Sequence, residues 1–311
     1  MEKIWDVIVI GAGPAGLTAG IYTARQNLST LILYNTQIGG PALEVQRIEN
    51  YPGFPQGLTG AELMTLFHEQ ASKFGAEFKH ETVIGFSDTA DSKIIATRRG
   101  YYQGKTVVIA TGVHRKQLSI PGEMKFKGRG VSYCAVCDGP FFKGKVIAVV
   151  GPGQDAVLDA LHLTDIASKV YAIPGKKGYS DTYPELVALK SNPKLEILTG
   201  QDIVEIEGNE VVTSIKLVGG PVNQIHVTGV FILLEHVSTF NIFVEAGVTV
   251  DGGGCIVVDK NQQTNIPGLY AAGDCTCTGW QVITAAGDGA KAALSIMKYL
   301  HTANNQTKKD R

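Results

Sequence analysis

The stretch DVIVIGAGPAGLTAGIYTARQNLSTLILY, residues 6–34, decides the fold of this chain. The apolar run DVIVI leads into GAGPAG, a helical stretch LTAGIYTARQ follows, and TLILY closes the unit as a second strand-like run. Strand, glycine turn, helix and strand within about 30 residues is the setting in which G-x-G-x-x-G specifies a nucleotide site. Gly11 permits the tight turn, Gly13 lets the backbone approach a pyrophosphate, and Gly16 lets the helix pack closely on the strand. With Pro14 and Ala15 they carry the chain into a helix N-terminus, whose free N–H donors and partial positive charge suit phosphate. An acidic residue about 20 positions further on commonly holds the ribose; here the strand ends in Tyr34 and Asn35.

The same order recurs at residues 145–173 as KVIAVV, GPGQDA, VLDALHLTDIA and KVYAI. The 37 glycines fall mainly at the ends of short apolar runs, which is α/β punctuation. We therefore expect an α/β protein with two Rossmann-like, three-layer ββα dinucleotide-binding domains, the second inserted into the first. Residues 1–113 and 244–311 form the discontinuous first domain on this reading, and residues 114–243 the insertion. LEILTG, VVTSIKLVGG and QIHVTGVFILL read as a small meander, the final stretch as strand, turn and long amphipathic helix, and HTANNQTKKDR as a frayed tail. A net charge of −1 and a pI near 6.7 argue against a general nucleic-acid binder. No apolar run approaches the roughly 20 residues that cross a bilayer, and the N-terminus lacks the parts of a signal peptide, so a soluble, cytoplasmic protein is expected.

TVVIATG at 106–112 and TNIPGLYAAGD at 264–274 resemble the paired signatures of flavoproteins with two dinucleotide domains. In those, the aspartate of the second signature holds the ribityl or pyrophosphate region of FAD. Ala110, Thr111, Gly112, Gly273 and Asp274 thus join the first glycine turn in an expected FAD site.

GRGVSYCAVCDGPFF, residues 128–142, places Cys134 and Cys137 in a C-x-x-C pair followed by Asp138. A two-residue spacer lets the sulfurs meet as a disulfide, and such settings commonly lower one thiol pKa so that thiolate exists near neutral pH. Asp138 is placed to deliver or accept the proton as the pair cycles. The competing reading is half of a zinc site completed by Cys275 and Cys277, but C-x-C is poor tetrahedral spacing, and no metal is expected. Cys255, Cys275 and Cys277 read as passive, with a redox role for Cys275 left open because it follows the GD step.

KGRGVSYCAVCDG, GAGPAG, IENYPGF, GLYAAGD and WQVITAAGDGAKAAL together resemble the low-molecular-weight thioredoxin reductase family across essentially the whole chain. The resemblance implies FAD, an inserted NADPH domain carrying the redox pair, a homodimer, a domain rotation and thioredoxin or a similar protein as substrate. It also implies that Cys137 lies nearest the flavin and that Cys134 attacks the substrate disulfide. Asn35, Gly40, Asn50, Val83, Asp274, Gln281 and Val282 become expected cofactor contacts. Pro41 stands where the family commonly has glutamine, and Trp280 where it has arginine.

The inserted unit departs from the family at its own nucleotide grip. Asp155 replaces the hydroxyl residue of G-x-G-x-[ST]-A, and the arginines that clasp a 2′-phosphate become Gly175 and Lys176, with Lys177 following. Ser180 takes the place of a later arginine and Glu235 that of a glycine. Lysine supplies charge without the bidentate fork. NADPH binding is therefore expected to be degenerate, and the chain resembles the family's pyridine-nucleotide-independent relatives that take electrons from ferredoxin. His114, Arg115, Lys116, Lys125, Lys127, Arg129, Lys143 and Lys145 form a basic run that would steer an acidic ferredoxin. Three readings stay open beside it: an ordinary NADPH site held by Lys176 and Lys177, a second FAD in the vacated cleft near Trp280, and a flavin redox sensor without turnover.

Overall fold

The computed structural model describes residues 3–89, 92–115, 117–234, 236–238 and 240–309, with side chains for all of these except 114, 115, 236–238 and 303–309. In chain order the first part holds β1 (Ile4–Ile10), α1 (Pro14–Arg25), β2 (Thr30–Tyr34), α2 (Gly60–Lys73), β3 (Glu77–His80), β4 (Val83–Asp88), β5 (Lys93–Thr97) and β6 (Gly100–Ile109). Next come β7 (Val113–Arg115), β8 (Val131–Ser132), α3 (Ala135–Asp138), β9 (Val146–Val150), α4 (Gln154–Ile166), β10 (Lys169–Ile173), α5 (Leu186–Ser191) and β11 (Leu195–Ile197). β12 (Asp202–Gly208), β13 (Val212–Val218), β14 (Gln224–His226), β15 (Gly229–Ile232), β16 (His236–Ser238), α6 (Asn241–Glu245), β17 (Leu269–Ala271) and α7 (Val282–Lys309) complete it.

The chain divides into two compact units, residues 1–113 with 238–311, and residues 114–237. The second crossing thus falls six residues before the expected start at 244, and packing explains the difference. Phe240 and Phe243 are buried in the core of the first unit, where Phe243 meets Phe86 at 5.1 Å between ring centroids. The last helix runs to Lys309, through most of the tail read as frayed.

In the first unit β3-β2-β1-β6 is a parallel run. Beyond it, the first half of β6 pairs antiparallel with β5, and its second half pairs parallel with β17. Two-residue periodicity places the core on both faces: Val7 and Val9 enter the cluster shared with Leu17, Leu63 and Ile296, while Ile8 and Ile10 enter that of Leu31, Val107 and Leu269. A sheet buried on both sides explains why DVIVI and TVVI are continuous apolar runs.

The second unit repeats the plan. Its sheet, β11-β10-β9-β15-β8, is parallel throughout. Ile147 and Val149 face α4 through Val157, Ala160 and Leu163, and Ala148 and Val150 face the opposite cluster. The expected meander is smaller than the sequence implied: β12-β13-β14 form it, whereas LEILTG and the VFILL run supply β11 and β15 of the parallel sheet. Among the described residues no helix is long and apolar enough to cross a membrane.

Candidate active site

Three motifs far apart in sequence converge in the first unit. Gly11 follows β1 at φ +111°, and a Cβ there would run into the carbonyl oxygen of Ala110, so glycine is required both for its conformation and for its neighbour. Ala110 N–H donates to the Ile10 carbonyl at 2.8 Å, and Ala272 N–H donates to that of Ile109 at 2.9 Å. Gly273, at φ +81°, lies so near Ala15 that a Cβ would stand 2.9 Å from that residue's own Cβ. The turns of TVVIATG, GLYAAGD and GAGPAG thereby meet at the carboxyl ends of parallel strands, where such sheets bind ligands.

The head of α1 is built to receive an anion. Its N-cap is Gly13, no side chain caps it, its first turn carries no acidic residue, and a Cβ on Gly13 would meet nothing within 4 Å. Open space before uncapped N–H groups fits a pyrophosphate. Gly40 stands beside this turn, 3.7 Å from the Gly13 Cα by its own projected Cβ. Asn50 and Gln281, 231 residues apart, meet through an Asn50 Nδ2–H bond to Gln281 Oε1 at 2.9 Å, and Val282 opens α7 just beyond. Asn35 follows β2, its carbonyl accepting from His80 Nε2 at 2.9 Å, while Val83 begins β4 and packs on the second core cluster. Trp280 adopts left-handed backbone at φ +51°, and Pro41 is exposed in the short 3-10 helix Gly40–Glu44.

In the second unit Cys134 and Cys137 are joined as a disulfide. Cys134 is the N-cap of α3 and its Sγ accepts from the Cys137 N–H at 3.2 Å. Both are half-buried, and Val136 between them is exposed. Asp138 closes α3; burial pushes its carboxyl above the usual range, and a 2.5 Å hydrogen bond donated by the Ser132 hydroxyl works against that rise. Ser132 also accepts from the Cys134 N–H at 3.1 Å, so one hydroxyl ties Cys134 to the Asp138 carboxyl. Sequence reasoning missed Ser132, although its place two residues before C-x-x-C was there to be read.

The second glycine turn keeps its backbone and changes its electrostatics. A Cβ on Gly151 would strike the Leu233 carbonyl, and Gly153, the uncapped N-cap of α4, has open space before it, as in the first unit. Here, however, Asp155 lies in the first turn, and Gln154 Nε2 donates to a carboxylate oxygen of Glu185 at 3.0 Å. Lys176 lies 3.6 Å from the Asp202 carboxylate, and the Ser180 hydroxyl is 2.8 Å from that of Thr182. Glu185 and Asp202 carry no linear signature, which is why the sequence did not name them. Of the basic run, Lys125, Arg129, Lys143 and Lys145 are exposed and Lys127 is half-buried; Lys116 and the side chains of His114 and Arg115 lie outside the described residues, as does Glu235.

A second disulfide was not expected. Cys255, read with Cys277 as passive, is bonded to it, with Cα atoms 5.7 Å apart. The four sulfurs of a C-x-x-C plus C-x-C zinc site are therefore not available together, and among the described residues no three His, Cys, Asp or Glu side chains gather as metal ligands. Cys275 is fully buried, its Sγ within 3.4 Å of the Ile109 and Ala272 carbonyls; burial pushes its thiol up to about 12, which removes it from thiolate chemistry at neutral pH.

The model of the pyridine nucleotide-disulphide oxidoreductase family matches residues 5–290. A thioredoxin reductase of Aquifex aeolicus is 41% identical over 306 residues, 96% of this chain and 94% of that one. The chain belongs to the thioredoxin reductase family. The family implies FAD and a flavin-dependent disulfide oxidoreductase with thioredoxin as substrate partner. Thioredoxin reductase from Streptococcus pyogenes MGAS5005 superposes with a TM-score of 0.91 at 35% identity, covering 97% of this chain and 100% of that one. A ferredoxin-flavin thioredoxin reductase from Clostridium acetobutylicum aligns over 97% of this chain and 100% of its own at 33% identity, with a TM-score of 0.54.

Proposed function

We propose that this thioredoxin reductase family member reduces its protein substrate with electrons drawn from ferredoxin, its second nucleotide turn having lost tight hold on NADPH. The observation that carries the reading is the pair of carboxylates, Asp155 and Glu185, at the head of α4. A carboxylate about 5 Å from a phosphate costs roughly 1–3 kcal/mol at effective dielectrics between those of water and a protein surface, and no such charge stands in the first turn of α1. Lys176, one of two lysines left to meet a 2′-phosphate, is already engaged by Asp202. The solved ferredoxin-flavin thioredoxin reductase shares this chain's length and a third of its sequence, and the exposed Lys125, Arg129, Lys143 and Lys145 suit an acidic donor.

Bound FAD would supply the two-electron carrier that opens the Cys134–Cys137 disulfide. Residues of the first unit would hold it: Gly11–Gly16 and the head of α1 at the pyrophosphate, Asp274 at the ribityl, and Asn50, Gln281 and Val282 nearer the ring. Cys134 attacks the substrate disulfide, Cys137 resolves the mixed disulfide, and Asp138 moves the proton, held by Ser132. Homodimer formation belongs to the same reading.

The test is an anaerobic absorbance titration of the FAD-loaded protein with NADPH, NADH and reduced ferredoxin in separate samples. Flavin bleaching by ferredoxin, followed by thioredoxin reduction, is the expected result. Rapid bleaching at micromolar NADPH would overturn the donor assignment and restore an ordinary NADPH-dependent enzyme.

A further inference from the structure

We propose that the Cys255–Cys277 disulfide is a thiol–disulfide exchange site that latches the flavin loop and opens when a protein dithiol of the thioredoxin class accumulates. The proposal rests on the flavin reading of the first unit and is independent of the electron donor.

The bond ties the loop that follows the GD step to a separate turn 22 residues earlier. Cys277 ends the 3-10 helix Asp274–Thr276 in left-handed backbone at φ +57°, Gly279 follows at +107° and Trp280 at +51°. Two non-glycine residues in that region so close together persist only where the surroundings over-determine them. The surroundings are a buried carboxylate on one side and the disulfide on the other. Asp288, on α7, accepts from the Thr278 hydroxyl, from Gln262 Nε2 at 2.8 Å and from the Gly273 N–H at 3.4 Å. Cys255 is fixed in turn by the Asp251 carboxylate, which accepts from the N–H of Gly253 and of Cys255 at 2.9 and 3.0 Å. Between the two anchors runs the segment from Asp274 to Gln281, whose ends are the residues assigned to the flavin.

The bond is also approachable. Cys277 is half-buried, and the turn before Cys255 is Asp251-Gly252-Gly253-Gly254, all exposed. Projected Cβ atoms on Gly252 and Gly254 meet nothing within 4 Å, and one on Gly253 would lie 3.8 Å from Cys255 Sγ, so these three glycines put no side chain over the bond. Cys255 itself is buried, which leaves the half-buried Cys277 as the sulfur open to attack. An incoming thiolate bonds to Cys277 Sγ and displaces Cys255 as thiolate, which takes a proton. The second thiol of the donor then releases Cys277 and closes the donor's own disulfide. Two electrons pass from dithiol to protein, leaving two thiols on this chain and one disulfide on the donor. Because the donor is of the same class as the product of the family's reaction, a reduced pool would loosen the flavin loop and slow its own formation.

The test uses the FAD-loaded full chain carrying Cys134→Ser and Cys137→Ser, so that dithiols cannot reach the flavin through the redox pair. Samples equilibrated with dithiothreitol, or with reduced thioredoxin, are quenched with N-ethylmaleimide and read peptide by peptide; flavin release is followed by fluorescence in parallel. We expect Cys255 and Cys277 to become labelled together, Cys275 to stay unlabelled until the protein is denatured, and flavin to leave at least about fivefold faster once the pair opens, the low end of ordinary coupling. Adding Cys255→Ala and Cys277→Ala should make release fast with or without dithiol. Labelling of both cysteines before reduction, or their resistance to reduced thioredoxin, would overturn the exchange site. Opening without change in flavin release would overturn the latch, and a chain that binds no FAD would sink the flavin reading while leaving the labelling result to stand.

Discussion

Ser132 and Asp138 form the smallest unit of chemistry in the molecule. The carboxyl is raised by burial and partly brought back by the hydroxyl, so removing the hydroxyl in Ser132→Ala should raise it further. If Asp138 delivers a proton, the alkaline limb of the rate of thioredoxin reduction against pH moves up by roughly half to one pH unit, about 1 kcal/mol of hydrogen bond; an unmoved limb would remove Asp138 from the rate profile. Asp138→Asn should slow the reaction roughly 10²- to 10⁴-fold, the usual scale of positioned acid–base groups. Stability runs the other way. A carboxyl whose folded pKa is raised contributes fully below its unfolded pKa, and that contribution is lost as pH rises through the folded pKa. Asp138→Asn should therefore melt higher than the native protein at pH 7, with the gap closing towards pH 3.

At the scale of elements, the helix heads α1 and α4 are a comparison the protein itself provides. Both begin at an uncapped glycine with open space before it, and they differ in the carboxylates of the second. Asp155→Ser with Glu185→Gln should lower the NADPH concentration needed for half-bleaching by roughly tenfold or more, on the electrostatic scale of one to three kcal/mol; Lys176→Arg and Lys177→Arg should add to it by restoring bidentate contacts. No gain from the first pair would mean that something other than charge closed the site. The α1 turn was legible because each glycine of GAGPAG serves a local demand that sequence spacing records. The α4 turn was half legible: Asp155 stands inside the motif, whereas Glu185 reaches Gln154 from the head of α5 and Asp202 meets Lys176 in the segment after β10. The same limit hid the Cys255–Cys277 bond. Its partners are joined by the fold alone, and the GD step drew attention to the adjacent Cys275, whose thiol burial pushes up to about 12. VFILL was misread for a related reason, since a short apolar run does not say whether its partner strands are parallel or antiparallel.

At the scale of the whole molecule, two units with separate two-sided cores divide the work, and ligand linkage should reveal the division. FAD is assigned to the first unit only, and a ligand at about 100 times its Kd stabilises what it binds by roughly 2.7 kcal/mol. Stripping the flavin should therefore deepen hydrogen exchange in β1, α1, β6 and the start of α7. The strands β9, β10 and β15 and the helix α4 belong to a unit whose parallel sheet is buried by its own residues and should keep their protection. Exchange followed by mass spectrometry on holo and apo protein resolves the two sets. Added NADPH should leave β9 and α4 unchanged at concentrations that saturate an ordinary family member, because Asp155 in the first turn of α4 and Glu185 beside Gln154 oppose a phosphate there. Protection of that turn by NADPH would contradict the donor assignment, whereas loss of protection in both units on removing FAD would show that the second core depends on the first.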